Sequence, residues 1–340
     1  MPLSPFHERR PLMTLTAHST IGAWLEDPRG APLLGELLGR ADLPDGALEQ
    51  MKELPLQQLV SLSRGALTQQ TVDDMVRSVN HGTIPEEEPE SAALPRFAGK
   101  TIIVTGAAGG IGAAVATRVL AESGRVIATD IAEERLRELL DAHPAAELSV
   151  VAGNLLDPGT IDRVLDAAGD RIDGLANVAG INDDFSPLHE TSDQMWDRVL
   201  GVNLTGMFKL ARAVVPVMLD AGAGSIVNVA SEAGLRGNAS GTAYTVSKHG
   251  VVGLTRSAAF MYAQRGLRIN AVAPGGVATG IPFPESVSEE GAQKLKPFQA
   301  QIPTVAPPEH IAASITFLLS DDGMNINGVV LPSDGGWSVQ

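Results

Sequence analysis

The chain has 340 residues, room for about two domains of ~150 residues each, carries a formal net charge of −15 and contains no cysteine. That charge makes nucleic acid and anionic membrane surfaces poor partners, and the missing thiols exclude disulfides and thiolate metal sites. No stretch approaches ~18 consecutive apolar residues, so no membrane-spanning helix is expected and the chain reads as cytoplasmic.

Arg9-Arg10 invites comparison with an export signal, but Pro11–Gly22 is too short and too polar for the required apolar region. Met13 offers an alternative start. Residues 1–80 show helical patterns without strand-like runs and predict a small all-α N-terminal module. Ser19 is placed to cap a helix through Leu25. Pro32–Leu38 follows, with Leu33, Leu34, Leu37 and Leu38 on one face, and then Leu54–Leu62 and Thr71–Val79. Residues 81–97 include Pro85, an acidic run and Pro95, and read as a linker without apolar periodicity.

From residue 98 to 340 strands alternate with helices. Strands are expected at Thr101–Val104, Arg125–Thr129, Leu148–Ala152, Gly174–Val178, Ser225–Val229, Arg268–Val272 and Val329–Pro332. Helices are expected at Ile111–Glu122, Glu133–Ala142 and Thr160–Ala168, with longer ones later. The alternation predicts an α/β fold, a Rossmann-type doubly wound parallel sheet with helices on both faces.

The first strand runs into Thr105-Gly106-Ala-Ala-Gly109-Gly110-Ile111-Gly112, which opens a helix. Glycines there permit a tight turn and close approach to a pyrophosphate, and the helix N-terminus favours the anion. Asp130 closes the next strand. A carboxylate at that place accepts from ribose hydroxyls and repels a 2′-phosphate, and no basic residue sits in the glycine loop, which points to NAD rather than NADP. Asp130 also suits a helix N-cap, which is compatible with that role.

Tyr244 and Lys248 are one helical turn apart, in a chain with only two tyrosines and six lysines. Tyrosine near its usual pKa of ~10 needs a shift of ~2–3 units to work near neutrality, and a cation ~4 Å away supplies about that much. Ser231 lies thirteen residues before Tyr244, at the end of a strand. Taken singly, Asn203 suits a helix cap, Ser231 an ordinary strand end and Tyr244 a helix core position; together, beyond a nucleotide loop, they point to acid/base chemistry.

These segments resemble the short-chain dehydrogenase/reductase family over about residues 97–340. The Thr105–Gly112 loop matches its cofactor motif. Asn177-Val-Ala179-Gly180 is similar to its Asn-Asn-Ala-Gly, with Val178 departing. Val202-Asn203-Leu-Thr-Gly206 and Ser231, Tyr244 and Lys248 match its catalytic asparagine, serine, tyrosine and lysine, and Arg268–Gly275 its nicotinamide-facing strand. The resemblance implies that Tyr244 exchanges the alcohol proton, that Lys248 lowers its pKa and holds the ribose, that Ser231 stabilises the substrate oxygen and that Asn203 holds a water. It implies NAD contacts from Gly106, Gly110, Ile111, Gly112, Asp130, Asn154, Leu155, Asn177, Ala179, Gly180, Tyr244, Lys248, Pro274, Gly275, Val277 and Thr279. It also implies a homo-oligomer, tetramer or dimer.

Residues 276–308, proline-rich, are expected to form a substrate lid with a short helix around Glu289–Leu295. Asn182, Asp183, Glu232, Arg236 and Ile281 are candidate pocket residues, and their polarity suggests a sugar or polyol. No metal site is expected, since the histidines show no ligand spacing. The first 80 residues lie outside the resemblance; Leu54–Asn80 is similar to small helical appendages on some bacterial glycoside hydrolases. They read equally as a partner contact or as a module packed on its own enzyme. The expected activity is NAD-dependent interconversion of a secondary alcohol and a ketone. The alternatives are an NADPH-dependent 3-oxoacyl reductase and a non-catalytic nucleotide-binding scaffold.

Overall fold

A computed structural model describes residues 14–39, 51–52, 54–62, 67–85, 95–280 and 286–340. The chain divides into two units, Met1–Pro89 and Glu90–Gln340. In the first, the described helices are Ile21–Glu26, Gly30–Gly39, Gln58–Leu62 and Gln69–Val79. Leu15, Ile21, Trp24, Leu34, Leu54, Leu56, Val72 and Val76 form its interior.

Two local expectations shift there. Thr20, not Ser19, caps the first helix, accepting from the Ala23 amide, while Ser19 accepts from the Thr16 amide one turn earlier. Leu54–Leu56 is extended rather than helical. Pro55 bridges Thr20, and the Ile21 amide donates to the Leu54 carbonyl, so tertiary pairing overrides the apolar spacing.

The second unit is a seven-stranded, fully parallel sheet. Its strands are β1 Thr101–Thr105, β2 Arg125–Asp130, β3 Leu148–Ala152, β4 Gly174–Asn177, β5 Gly224–Val229, β6 Leu267–Pro274 and β7 Val330–Ser333. Their order is β3-β2-β1-β4-β5-β6-β7. Every residue of β1 is buried, as a central strand covered on both faces requires. One face packs Val115, Val119, Leu136, Ile311 and Ile315 against the sheet; the other packs Ile161, Val164, Leu210, Val214 and Met218. The strand order reverses between β1 and β4, and a crevice at the carboxyl ends of the strands is the ordinary ligand site of such sheets.

The expected linker reaches too far. Phe97 is fully buried, and Arg96 pairs with buried Glu122 and with Asp322, so residues 95–97 already belong to the second unit. One helical run, Asp193–Ala221, is long and apolar enough to cross a membrane, which strand-by-strand reading of the sequence did not anticipate. Its Val199, Met207, Leu210, Val214 and Met218 are buried in the unit's interior. The run contains a π-helical turn, Gly201–Gly206, which carries Asn203. The helix in the expected lid is longer than predicted, Glu289–Gln299, with Ser288 as its cap and Pro297 inside its last turn. Ile281 lies outside the described residues.

Candidate active site

The glycine loop leaves β1 with Gly106 at φ +68 and Gly110 at φ +51, left-handed values that favour glycine. A Cβ on Gly112 would lie 2.1 Å from the Gly106 carbonyl oxygen, so the helix can begin this close to the strand only without a side chain. Gly109 precedes helix Gly110–Ala121 and gives it no side-chain cap, which leaves that N-terminus suited to an anion. Thr105 ties this end of the sheet together. Its hydroxyl accepts from the Val178 and Ala179 amides at 2.9 and 3.0 Å. Ala179 in turn lies against Gly106, and Thr279 against Gly110.

Asp130 ends β2 with its carboxylate accepting from the Ala108 amide at 3.1 Å and the Ala132 amide at 3.0 Å. The acid is therefore fixed beside the glycine loop. Asn154 follows β3, with its side-chain oxygen accepting from the Leu156 amide. Leu155 packs beside Gly206. Arg135 was not anticipated: its guanidinium comes within 3.9 Å of a Cβ position on Gly109. The signal was present, five residues after Asp130, but only the fold of helix Glu133–Ala142 turns that side chain back to the loop. The residues present suit a dinucleotide on this ground: an uncapped helix N-terminus, glycines without room for side chains, and an oriented acid at the next strand.

Asn177 closes β4. It is buried and donates to Asn228 Oδ1 at 2.9 Å; Asn228 donates to Thr255, which donates to the Val251 carbonyl. The chain of bonds fastens β4 to β5 and to helix Thr242–Tyr262.

That helix presents Tyr244 and Lys248. The Ser231 hydroxyl lies near enough to the Tyr244 phenol to favour its ionised form, and it accepts from the Ala233 amide at 3.1 Å. Lys248 is buried; its ammonium donates to the Val229 carbonyl at 2.9 Å and sits 5.5 Å from the Tyr244 ring centroid. Burial lowers the Lys248 pKa to about 8. Burial pushes the Tyr244 phenol up; the Ser231 hydroxyl pulls it back and the Asp183 carboxylate adds to the rise. The Lys248 ammonium is itself desolvated and turned to the Val229 carbonyl.

Asn203 is fully buried in the π-helical turn. Its oxygen accepts from the Ile181 amide at 2.8 Å, and its nitrogen donates to the Ile181 carbonyl at 3.0 Å and to Ser247 at 3.1 Å. The side chain is therefore committed to protein partners, and a water held by this residue would have to use its backbone. Gly180 lies between Asn203 and Lys248; a Cβ there would be 3.3 Å from Asn203 Oδ1 and 3.5 Å from Lys248 Nζ. Pro274 ends β6, Gly275 follows it against Asp334, and Val277 bridges Ala306.

Of the expected pocket residues, Asp183 and Glu232 are fully buried. Asp183 takes donors from backbone and Ser240. Glu232 pairs with Arg236, whose remaining nitrogens donate to the Trp337 and Gln340 carbonyls. Asp183 and Arg236 are therefore occupied internally, whereas Glu232 keeps Oε2 buried without a hydrogen-bond partner. Beside the first turn of the Tyr244 helix lies a groove of about 390 Å³ whose lining mixes Phe185, Leu188, Val246 and Leu295 with Ser240, Thr245, Glu290 and Lys294. His189 and Glu190 bring ligand atoms within 4.8 Å of one another and of distant Glu290, all three exposed.

Residues 100–287 match the family model of the short chain dehydrogenases. The chain belongs to the short-chain dehydrogenase/reductase family. It is 41% identical over 250 residues to the short-chain dehydrogenase/reductase cdmF of Talaromyces verruculosus, covering 70% of this chain and 96% of that one. It is 38% identical over 257 residues to a 3beta-hydroxysteroid dehydrogenase of Eggerthella lenta, covering 73% and 98%. Among solved structures, one assigned as an NAD(P)-dependent gluconate 5-dehydrogenase from Beutenbergia cavernae, with NADP at low occupancy, superposes with a TM-score of 0.63. That protein is 36% identical, and the alignment covers 72% of this chain and all of the other. As a family member the chain is an oxidoreductase with a nucleotide-binding sheet.

Proposed function

We propose that the chain interconverts a secondary alcohol and a ketone with a nicotinamide dinucleotide, Tyr244 serving as the acid/base. The observation that carries this reading is the grouping of Ser231, Tyr244 and Lys248 at the carboxyl edge of the sheet, next to an uncapped glycine-loop helix. When bound, the nicotinamide supplies the hydride exchange. In the oxidative direction Tyr244 takes the hydroxyl proton, Ser231 donates to the oxygen on which charge grows, and Lys248 holds positive charge beneath the phenol. Asn177 and Asn203 keep β4, Ile181 and the catalytic helix in register.

Asp130, fixed by two amides beside the loop, supports NAD. Arg135 beside Gly109 is the one specific observation favouring NADP, since a guanidinium pairs with a 2′-phosphate. Asp130→Ala is expected to weaken NAD more than NADP, and Arg135→Ala to weaken NADP alone; equal effects on both cofactors would remove the argument. A sugar or polyol was suggested by Asp183, Glu232 and Arg236. Their internal bonding weakens that support, and Phe185, Leu188, Val246 and Leu295, in a groove beside the Tyr244 helix, favour a bulkier alcohol. The segment 276–308, with Ser288 and its helix packed beside this groove, serves as the substrate lid, and a homo-oligomer is the expected assembly.

The test is an oxidation panel of steroids, terpenoid alcohols, sugars, polyols and hydroxy acids with each cofactor. Turnover with an apolar alcohol, abolished in Tyr244→Phe while cofactor still binds, is the expected result. Wild-type silence across the panel would favour a nucleotide-binding scaffold.

A further inference from the structure

Asp183 is a fully buried carboxylate that the reaction does not use. It stands in the loop after β4, three residues beyond Gly180. Its Oδ2 accepts from the Tyr244 amide at 2.9 Å. Its Oδ1 accepts from the Phe185 amide at 3.1 Å, the Ser240 hydroxyl at 3.1 Å and the Gly241 amide at 3.3 Å. Helix Thr242–Tyr262 has no cap from its own Gly241, so the carboxylate of a distant loop caps it. An anion there also faces the positive end of the helix dipole.

The same loop holds the lid helix. The Ser288 amide donates to the Asp184 carbonyl at 2.8 Å, and the Ser288 hydroxyl donates to Glu190 at 2.6 Å. Phe185 sits at φ +61, a left-handed value unusual for a residue with a side chain, and such backbone persists only where its surroundings over-determine it. Two glycines press on it. A Cβ on Gly241 would lie 2.5 Å from Asp183 Oδ2, and one on Gly291 would lie 1.8 Å from the Phe185 carbonyl oxygen. The loop is therefore clamped between the first turn of the catalytic helix and the first turn of helix Glu289–Gln299.

We propose that Asp183 is a positioning residue: its carboxylate fixes the turn that carries Tyr244, and residues 184–190 couple that turn to the seat of the lid helix. The proposal rests on Tyr244 being the acid/base, and it adds that lid seating and phenol placement move together. The charged groups facing the phenol are Asp183 from this loop and Lys248 from its own helix; Ser231 faces it from the end of β5, and Glu290 and Lys294 of the lid helix line the adjoining groove.

Two variants approach the loop from opposite sides. Asp183→Asn keeps the shape but loses an acceptor and the charge; Gly291→Ala pushes from the lid side. In Asp183→Asn, kcat should fall by roughly tenfold or more, as expected for a misplaced reacting group, with cofactor Kd unchanged. The acidic limb of kcat for alcohol oxidation should also move to lower pH, because the carboxylate that raises the phenol's pKa is neutralised. A purely structural defect would reduce the amount of active enzyme without moving that limb. Hydrogen exchange followed by mass spectrometry provides a readout independent of turnover. Each variant should speed exchange in both 241–246 and 288–295. Faster exchange confined to one of these segments, or an unmoved limb at full kcat, overturns the proposal. If wild type turns over no alcohol, the enzyme reading fails, while the exchange arm still decides whether the two turns are coupled.

Discussion

Lys248 shows how one residue's environment sets a measurable property. Its ammonium is desolvated and answered by a single carbonyl, and its pKa falls from 10.5 to about 8. The unfolded chain holds this proton up to about 10.5, the folded chain only to about 8. Between those values the unfolded state binds more protons, so stability rises with pH, and the burial cost is fully present below about 8. A shift of that size corresponds to about 3 kcal/mol. Lys248→Met removes this cost but leaves the Val229 carbonyl unpaired, a loss of about 1 kcal/mol. The variant should therefore be more stable than wild type by about 2 kcal/mol at pH 7, with the advantage shrinking toward pH 10. Urea denaturation of both proteins across that range checks it; a pH-independent difference would show that Lys248 is not desolvated as described. Tyr244 titrates in the opposite sense, since its raised pKa favours the unfolded state at high pH, but it is common to both proteins.

At the scale of elements, the strands of the sheet were legible because most combine β-branched residues with flanking turn signals. Glu133–Ala142 and Leu148–Ala152 were placed to the residue. Misplacements occurred where a distant partner decides. Leu54–Leu56 is extended because Thr20 pairs with Pro55, and β6 runs on to Pro274 because Ala271–Pro274 pair with β7. The π-helical turn at Asn203 has no local signature. It exists where the asparagine must reach Ile181 and Ser247 together, and extra backbone in a helix lets a side chain turn inward. The candidate site was legible for the same reason that its elements were: Gly106, Gly112, Ser231, Tyr244 and Lys248 all sit at element ends that periodicity locates. Arg135 was not, and Asp183 was placed only as a pocket residue and not as the cap of the Tyr244 helix, because their partners are more than twenty residues away or on another element.

For the whole molecule, the two units carry separate interiors, one around Trp24 and Leu56 and the other on both faces of the sheet. The matched relatives align over about 70% of this chain while being covered at 96% themselves, and the family model begins at residue 100. The ion pairs of Arg96 with Glu122 and Asp322 place the start of the catalytic unit before Phe97. A chain beginning at Pro95 should therefore fold and bind cofactor within about twofold of the full chain, as a unit with its own core does. A chain beginning at Ile102 should lose stability, since it drops buried Phe97 and leaves Glu122 without Arg96. Calorimetry of both truncations decides this. If the longer truncate binds cofactor far more weakly, the first unit contributes to the site.

The sequence by itself determined the parallel sheet, the nucleotide loop with its acid, and the Ser-Tyr-Lys set, because each depends on residues close in the chain or on strand ends that recur at a regular spacing. Only the tertiary structure decided which polar side chains remain open to a substrate. Asn177, Asp183, Glu232 and Asn203 look alike in the sequence as polar residues near the site. Folding buries all four and gives each a polar partner, because a buried polar group without one costs free energy.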